Sequence, residues 1–193
     1  MIDHPSTAGP VPAMVELDGF LLQLLEPSHA HLVAEMLGQR GHRFILDLPP
    51  DEATLAAILA HLPQEPWALP LAVVCDGECV GMATTALANV KALTAGFTAL
   101  FTDPGAAVLP LAMMVRHLFW LFPLQRIHAQ IPAMDLTGEY VDLLTSVGFV
   151  DEGRLMAHVV IAGQPFDMVA LGLLRSDFER WCAVHEPRLA LAP

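Results

Sequence analysis

The sequence predicts one α/β (α+β) domain, a sheet of about seven strands flanked by four helices. Three observations predict it. Apolar and alternating segments are interleaved with segments of helical period, in the order strand, helix, helix, three strands, helix, strand, helix, two strands. Asp76-Gly77 sits between apolar runs as a two-residue hairpin turn. No repeat, low-complexity tract or linker interrupts the 193 residues, a length that suits a single sizeable core.

Each element has a local reason. "VELDGFLLQLL", Val15 to Leu25, is partly alternating and then apolar, which predicts one strand ended by Glu26-Pro27-Ser28. Ser28 is placed to cap a helix in which Leu32, Val33, Met36 and Leu37 share a face and Gly38 is the stop. A second helix follows in "LPPDEATLAAILAHLP", with Asp51 and Glu52 at its positive end and Leu55, Ile58, Leu59 and Leu62 on one face. "LPLAVVCDGECVGMATTALA" reads as the hairpin, and "ALTAGFTALF" as a further strand of the meander. Leu111, Val115, Leu118 and Phe122 recur at helical spacing from Ala107 to Leu121, and Pro123 closes that helix. "RIHAQI" is a short strand, and "DLTGEYVDLLTSVGF" a helix running into a turn at Gly148. "GRLMAHVVI" and "FDMVALGLL" pair around Ala162-Gly163. Residues 1–14 read as a flexible leader, 15–181 as the domain and 182–193 as a tail.

Composition narrows the function. The net charge is -12, and Lys91 is the one lysine among nine basic residues, so no basic stripe for nucleic acid is expected. Hydrophobic residues make up 54 %, yet stretches free of charge end at about a dozen residues, short of the roughly 18 to 20 of a membrane helix. The apolar excess is expected in the core, in a ligand cavity or in a subunit interface, which predicts a homo-oligomer, with a dimer the simplest case. Cys75, Cys79 and Cys182 are an odd number, without a second close pair or a tight His cluster to complete a zinc site, and predict free thiols, no metal and a cytoplasmic setting.

The element order, "TDPGAA" after the fourth strand, "VGFVDEGRLMAHVVIAGQPFD" and "LLRSDFERW" together resemble the GNAT superfamily of acyl-CoA N-acyltransferases, in particular its ribosomal-protein N-terminal acetyltransferase branch. The likeness includes a Gly-Phe turn, an Asp/Glu-Glu-Gly hairpin, a buried Asp and a closing Trp. It implies a mixed, mostly antiparallel, splayed sheet and an acyl-CoA co-substrate, acetyl-CoA or a longer acyl-CoA. The acceptor it implies is a small-molecule or peptide amine, with no nucleic acid and no membrane partner.

Counting back from Arg126 places the family's cofactor loop on Thr102 to Ala107. The resemblance implies that the backbones of Leu100 and Phe101 meet the pantetheine amides, and that Gly105, Ala106, Ala107 and Val108, with Thr137, hold the rest of the cofactor. A helix N-terminus with small residues suits a pyrophosphate, because its N–H groups are unpaired. Two departures oppose this: Thr102 stands where the family has Gln or Arg, and Asp103 brings a carboxylate. Asp103 is either a repulsive charge or a turn former, and Pro110 removes one N–H from the first helical turn.

Aminolysis of a thioester needs a base, an oxyanion donor and an acid for the thiolate. Counting back from Gly148-Phe149 puts the family's acid position on Leu144, which has no proton to give. Tyr140, one helical turn earlier, is the candidate substitute, against the alternative of a core tyrosine. His128 is the candidate base, against that of a hydrogen-bonded strand histidine. His29, His31, His42, His61 and His117 are expected to be exposed. The loop carrying Arg40, His42 and Arg43 is expected at the acceptor pocket. Two other functions stay open: a non-catalytic GNAT-like module binding a ligand or partner, and an acyltransferase whose donor rides on a carrier protein.

Overall fold

The computed structural model describes residues 15–38, 51–61, 69–89, 93–134, 137–161 and 163–189, with backbone only for 86–89 and 137. Its strands are β1 (Val15–Leu17), β2 (Phe20–Leu24), β3 (Leu71–Cys75), β4 (Glu78–Asn89), β5 (Thr94–Phe101), β6 (Arg126–Pro132), β7 (Val150–Ile161) and β8 (Gln164–Leu174). The helices are α1 (Ala30–Gly38), α2 (Glu52–His61), α3 (Val108–Leu121), α4 (Thr137–Ser146) and α5 (Arg175–His185). The strands form one eight-stranded sheet in the order β1-β2-β3-β4-β5-β6-β8-β7. All neighbours are antiparallel except β5 and β6.

The expected seven strands become eight because the first one is a hairpin. Asp18 and Gly19 both have positive φ, 51° and 81°, and turn β1 back on β2. That is the chemistry already read at Asp76-Gly77, where φ is 51° and 82°. Among the described residues the expected four helices become five, because the closing "RSDFERW" winds into α5. This helix continues past Trp181 to His185, and both Cys182 and Leu189 beyond it are buried. Residues 1–14 and Arg40, His42 and Arg43 lie outside the described residues.

Helix α1 starts from a short 3-10 turn, Pro27–His29, and Ser28 does not cap it. Glu26 is the N-cap instead, and its N–H donates to His29 Nδ1 at 2.9 Å, the return half of a capping box. Val33, Met36 and Leu37 face inward as their spacing predicts. At α2 the Asp51 carboxylate accepts the Thr54 N–H at 2.8 Å, a side-chain cap that holds its own pKa down. Leu55 and Leu59 are the buried positions of that helix.

The core lies along β3, β4 and β5 and around α3, in which Pro110 to Val115 and His117 to Phe119 are buried. Period two places Ala95, Phe97 and Phe101 on one face of β5, while Leu100 is buried on the other, so both faces are covered. Phe119 of α3 meets Phe178 of α5 with ring centroids 5.7 Å apart. Arg175 fastens the two helices: its Nε donates to Leu124 O at 2.7 Å and its Nη2 to Phe122 O at 2.9 Å and to Phe119 O, the carbonyls that end α3. Trp181 donates from Nε1 to Ser146 O at 2.6 Å, joining α5 to the end of α4.

His117 corrects an expectation. It is 3 % exposed, and burial together with nearby Arg116 lowers its pKa. Helical period separates an inner from an outer face, and α3 is buried around most of its circumference. The Asp expected to be buried, Asp167, is half-buried and caps a bulge in β7, accepting the Ala157 N–H at 2.8 Å where φ is 45°. The apolar excess is not all internal: β7 is a sheet edge and leaves Val150, Met156 and Val160 exposed. Among the described residues no helix is long and apolar enough to cross a membrane.

Candidate functional site

The site begins with a strand pair that comes apart. β5 and β6 are in register only from Thr94 to Gly96 against Arg126 to His128. Beyond that point β5 continues to Phe101 and β6 to Pro132 without pairing to each other, so the sheet opens into a V at its single parallel step. β6 is held away by β8, with which it pairs along its whole length, and β5 by β4.

A narrow, open-mouthed cleft of about 20 Å³ occupies the V. Its walls are β5, Ala129 to Ile131 of β6, Leu111 of α3 and one face of α4, and they are mainly apolar. The polar side chains on the walls are Thr98, Gln130 and Tyr140. No carboxylate or imidazole is among the described lining residues. The lining is therefore apolar and uncharged among the described residues.

Tyr140 reaches the cleft from α4 and accepts the Phe101 N–H at 3.1 Å. Burial pushes its pKa up to about 12, partly offset by that N–H, so the phenol is protonated at neutral pH. Leu144, one turn further, is also in the wall. The backbone N–H of Phe101, expected to meet pantetheine, is thus already engaged by Tyr140, whereas Leu100 contributes a buried side chain to the core. The side chain of Thr137 lies outside the described residues.

His128 stands at the vertex of the V, paired with Gly96 at the last register position before the strands part. It is not among the residues lining the cleft, but period two puts it on the same side of β6 as Gln130, which is. Burial, then the Arg126 charge, lower its pKa, and Glu152 opposes them. Arg126 and Glu152 form an ion pair across β8, directly over Gly172. A Cβ at Gly172 would collide with both groups, which is why β8 carries a glycine there.

The turn before α3 is closed upon itself. Asp103 Oδ1 accepts the Gly105 N–H at 2.9 Å, Asp103 O the Ala106 N–H at 3.2 Å and Pro104 O the Ala107 N–H at 3.3 Å. The N–H groups of Val108 and Leu109 precede the first helical bond, Leu111 N–H to Ala107 O at 2.9 Å. Thr102 turns away, its N–H and hydroxyl both directed to Val80 O. Of the two readings of Asp103, the turn former is the one the geometry shows. Sequence reasoning missed Thr98, and alternation along β5 gave no sign of it, because the residues on both faces of that strand are half-buried or buried.

Neither a family model nor a curated protein sequence matches the chain. Solved structures do. The ribosomal-protein-S5-alanine acetyltransferase from Vibrio fischeri is 16 % identical, with a TM-score of 0.70 over 86 % of this chain and 98 % of that one. Mycobacterium smegmatis RimJ, in complex with CoA-disulfide, is 19 % identical, with a TM-score of 0.70 over 85 % and 88 %. Spermidine N-acetyltransferase from Vibrio cholerae, in complex with CoA and spermine, is 16 % identical, with a TM-score of 0.68 over 84 % and 99 %. The parted parallel strands, the helix that follows them and these neighbours lead to one conclusion: the chain has the GNAT fold, shared with acetyltransferases of known structure.

Proposed function

We propose that the protein is an N-acyltransferase that moves an acetyl or longer acyl group from acyl-CoA to an amine by direct attack. The observation that carries this reading is the V between β5 and β6, which frees the edge of β5 beside an apolar cleft. An extended pantetheine arm would add to that edge as a further strand, amide to backbone. Neighbours of the same fold are solved with CoA species, which supports the donor class.

In this reading the thioester lies in the V with its sulfur beside the Tyr140 phenol, toward the Phe101 end of β5. The amine nitrogen attacks it, forming the C–N bond; the tetrahedral intermediate then collapses, the C–S bond breaks and CoA leaves as a thiolate. His128, at the vertex and held neutral by burial, accepts the proton of the amine through intervening water. Tyr140, protonated, donates a hydrogen bond to the departing sulfur. A peptide α-amine and a polyamine are the acceptor classes suggested by the neighbours' names. The exposed apolar side chains of β7 support pairing with a second copy along that edge.

The test is amine-dependent release of free thiol from acetyl-CoA and longer acyl-CoAs, with N-terminal peptides, spermidine and simple primary amines as acceptors. The reading expects turnover with at least one amine, and kcat lowered about a hundredfold by His128→Ala. No amine-dependent thiol with any donor would overturn it.

A further inference from the structure

We propose that Asp103 sets donor specificity: its carboxylate takes the anion position at the turn before α3, so the protein reads the acyl-pantetheine arm of its donor and gains little from a pyrophosphate. The inference rests on the acyl-transfer reading above and concerns which part of the donor is recognised.

The turn's own hydrogen bonds come first. Of the N–H groups a phosphate at this turn would use, those of residues 105 to 107 are committed, the first to the Asp103 carboxylate at 2.9 Å, which leaves Val108 and Leu109 as the donors at the start of α3. A Cβ on Gly105 would lie 3.2 Å from Asp103 Oδ1, so the space glycine leaves is taken by the carboxylate. Pro110 has no N–H to offer. A phosphate must therefore displace a charged acceptor or settle beside it, and at a few ångströms two like charges oppose each other.

The surroundings carry the same sign. Behind Thr102, between α1 and β4, opens a cavity of about 310 Å³ whose wall includes Glu35 and Glu78. Neither that wall nor the turn from Thr102 to Val108 holds a lysine or arginine among the described residues. The anionic half of an acyl-CoA thus meets acids and a filled turn, while its neutral arm meets the free edge of β5 and an apolar cleft. Recognition falls on the arm.

The experiment compares binding of acetyl-CoA and S-acetyl-pantetheine by calorimetry, in the wild type and in Asp103→Asn. Asparagine keeps an oxygen for the Gly105 N–H and removes the charge, so the turn persists. The wild type is expected to bind the two donors within about threefold of each other. Asp103→Asn is expected to tighten acetyl-CoA by about tenfold and leave S-acetyl-pantetheine unchanged. A wild-type preference for acetyl-CoA above about thirtyfold overturns the inference and leaves acyl transfer standing. So does a variant that shifts both donors equally or neither, and the wild-type ratio decides even if the variant does not fold. Failure of the wild type to bind either donor overturns the acyl-transfer reading and the inference with it.

Discussion

The phenol of Tyr140 accepts the backbone N–H of Phe101 at 3.1 Å, tying the middle of α4 to the last residue of β5. One side chain thereby fixes the width of the cleft at its far end and supplies one of the polar groups on its wall. Tyr140→Phe removes the acceptor and leaves a buried N–H unpaired, so a loss of about 1 to 3 kcal/mol is expected in urea unfolding. If the phenol also serves the leaving thiolate, kcat falls by about tenfold with KM changed less. A phenol with a pKa of about 12 gives no alkaline loss of rate between pH 7 and 9.

The acid side of the rate profile belongs to His128. Burial and Arg126 hold its pKa below the ordinary value of 6.5, so the neutral base is present throughout neutral pH. The value of kcat/KM is expected to be flat from pH 7 to 8 and to fall only as pH drops through a point below 6.5. Removing the opposing carboxylate with Glu152→Gln leaves the Arg126 charge unbalanced and moves that fall to lower pH. Initial rates measured from pH 5 to 8 in the wild type and the variant check both statements.

Stability should show a related acid sensitivity. His117 and His128 both have pKa values lowered on folding, so the unfolded chain binds more protons just below pH 6.5. Stability is full above the unfolded pKa and declines as pH falls through it toward the folded values. Melting temperature is therefore expected to drop between pH 7 and 5, and to drop less in His117→Phe, which keeps a ring in the same buried place. Equal slopes in the two proteins would contradict the assignment to His117.

Arg175 joins the two helices most directly. It donates to three carbonyls at and beyond the end of α3 and stacks over Phe119 at 5.0 Å. Arg175→Met keeps the stem but leaves those carbonyls without their donor, and a loss of about 2 to 4 kcal/mol is expected in chemical denaturation. Arg175→Lys rescues part of it, since one ammonium cannot reach all three positions as a planar fork does.

Much of this architecture was legible in the residues. Element order, the Asp76-Gly77 hairpin and the apolar periods of α1 and α2 follow from local rules that the packed chain obeys. Asp18-Gly19 was equally legible but hidden by its setting, since the strands on either side are short and together imitate one long strand. The burial of His117 was not legible, because helical period presumes an exposed face and α3 scarcely has one. At the site, Tyr140 and Leu144 were located by spacing to Gly148-Phe149, and both stand in the cleft wall. That the Asp103 carboxylate accepts the Gly105 N–H was one of the two readings its place before Pro104-Gly105 allowed, and its rotamer decides between them.

Whether the V between β5 and β6 takes an acyl-pantetheine thioester is read from the shift in melting temperature with acetyl-CoA, longer acyl-CoAs and S-acetyl-pantetheine. Ligand at a hundred times its Kd stabilises a folded protein by about 2.7 kcal/mol, which for a domain of this size raises the melting temperature by about 5 to 10 °C. Such a shift is expected with acetyl-CoA or a longer acyl-CoA, and a comparable one with S-acetyl-pantetheine. An unchanged melting temperature with every one of these at millimolar concentration would contradict it.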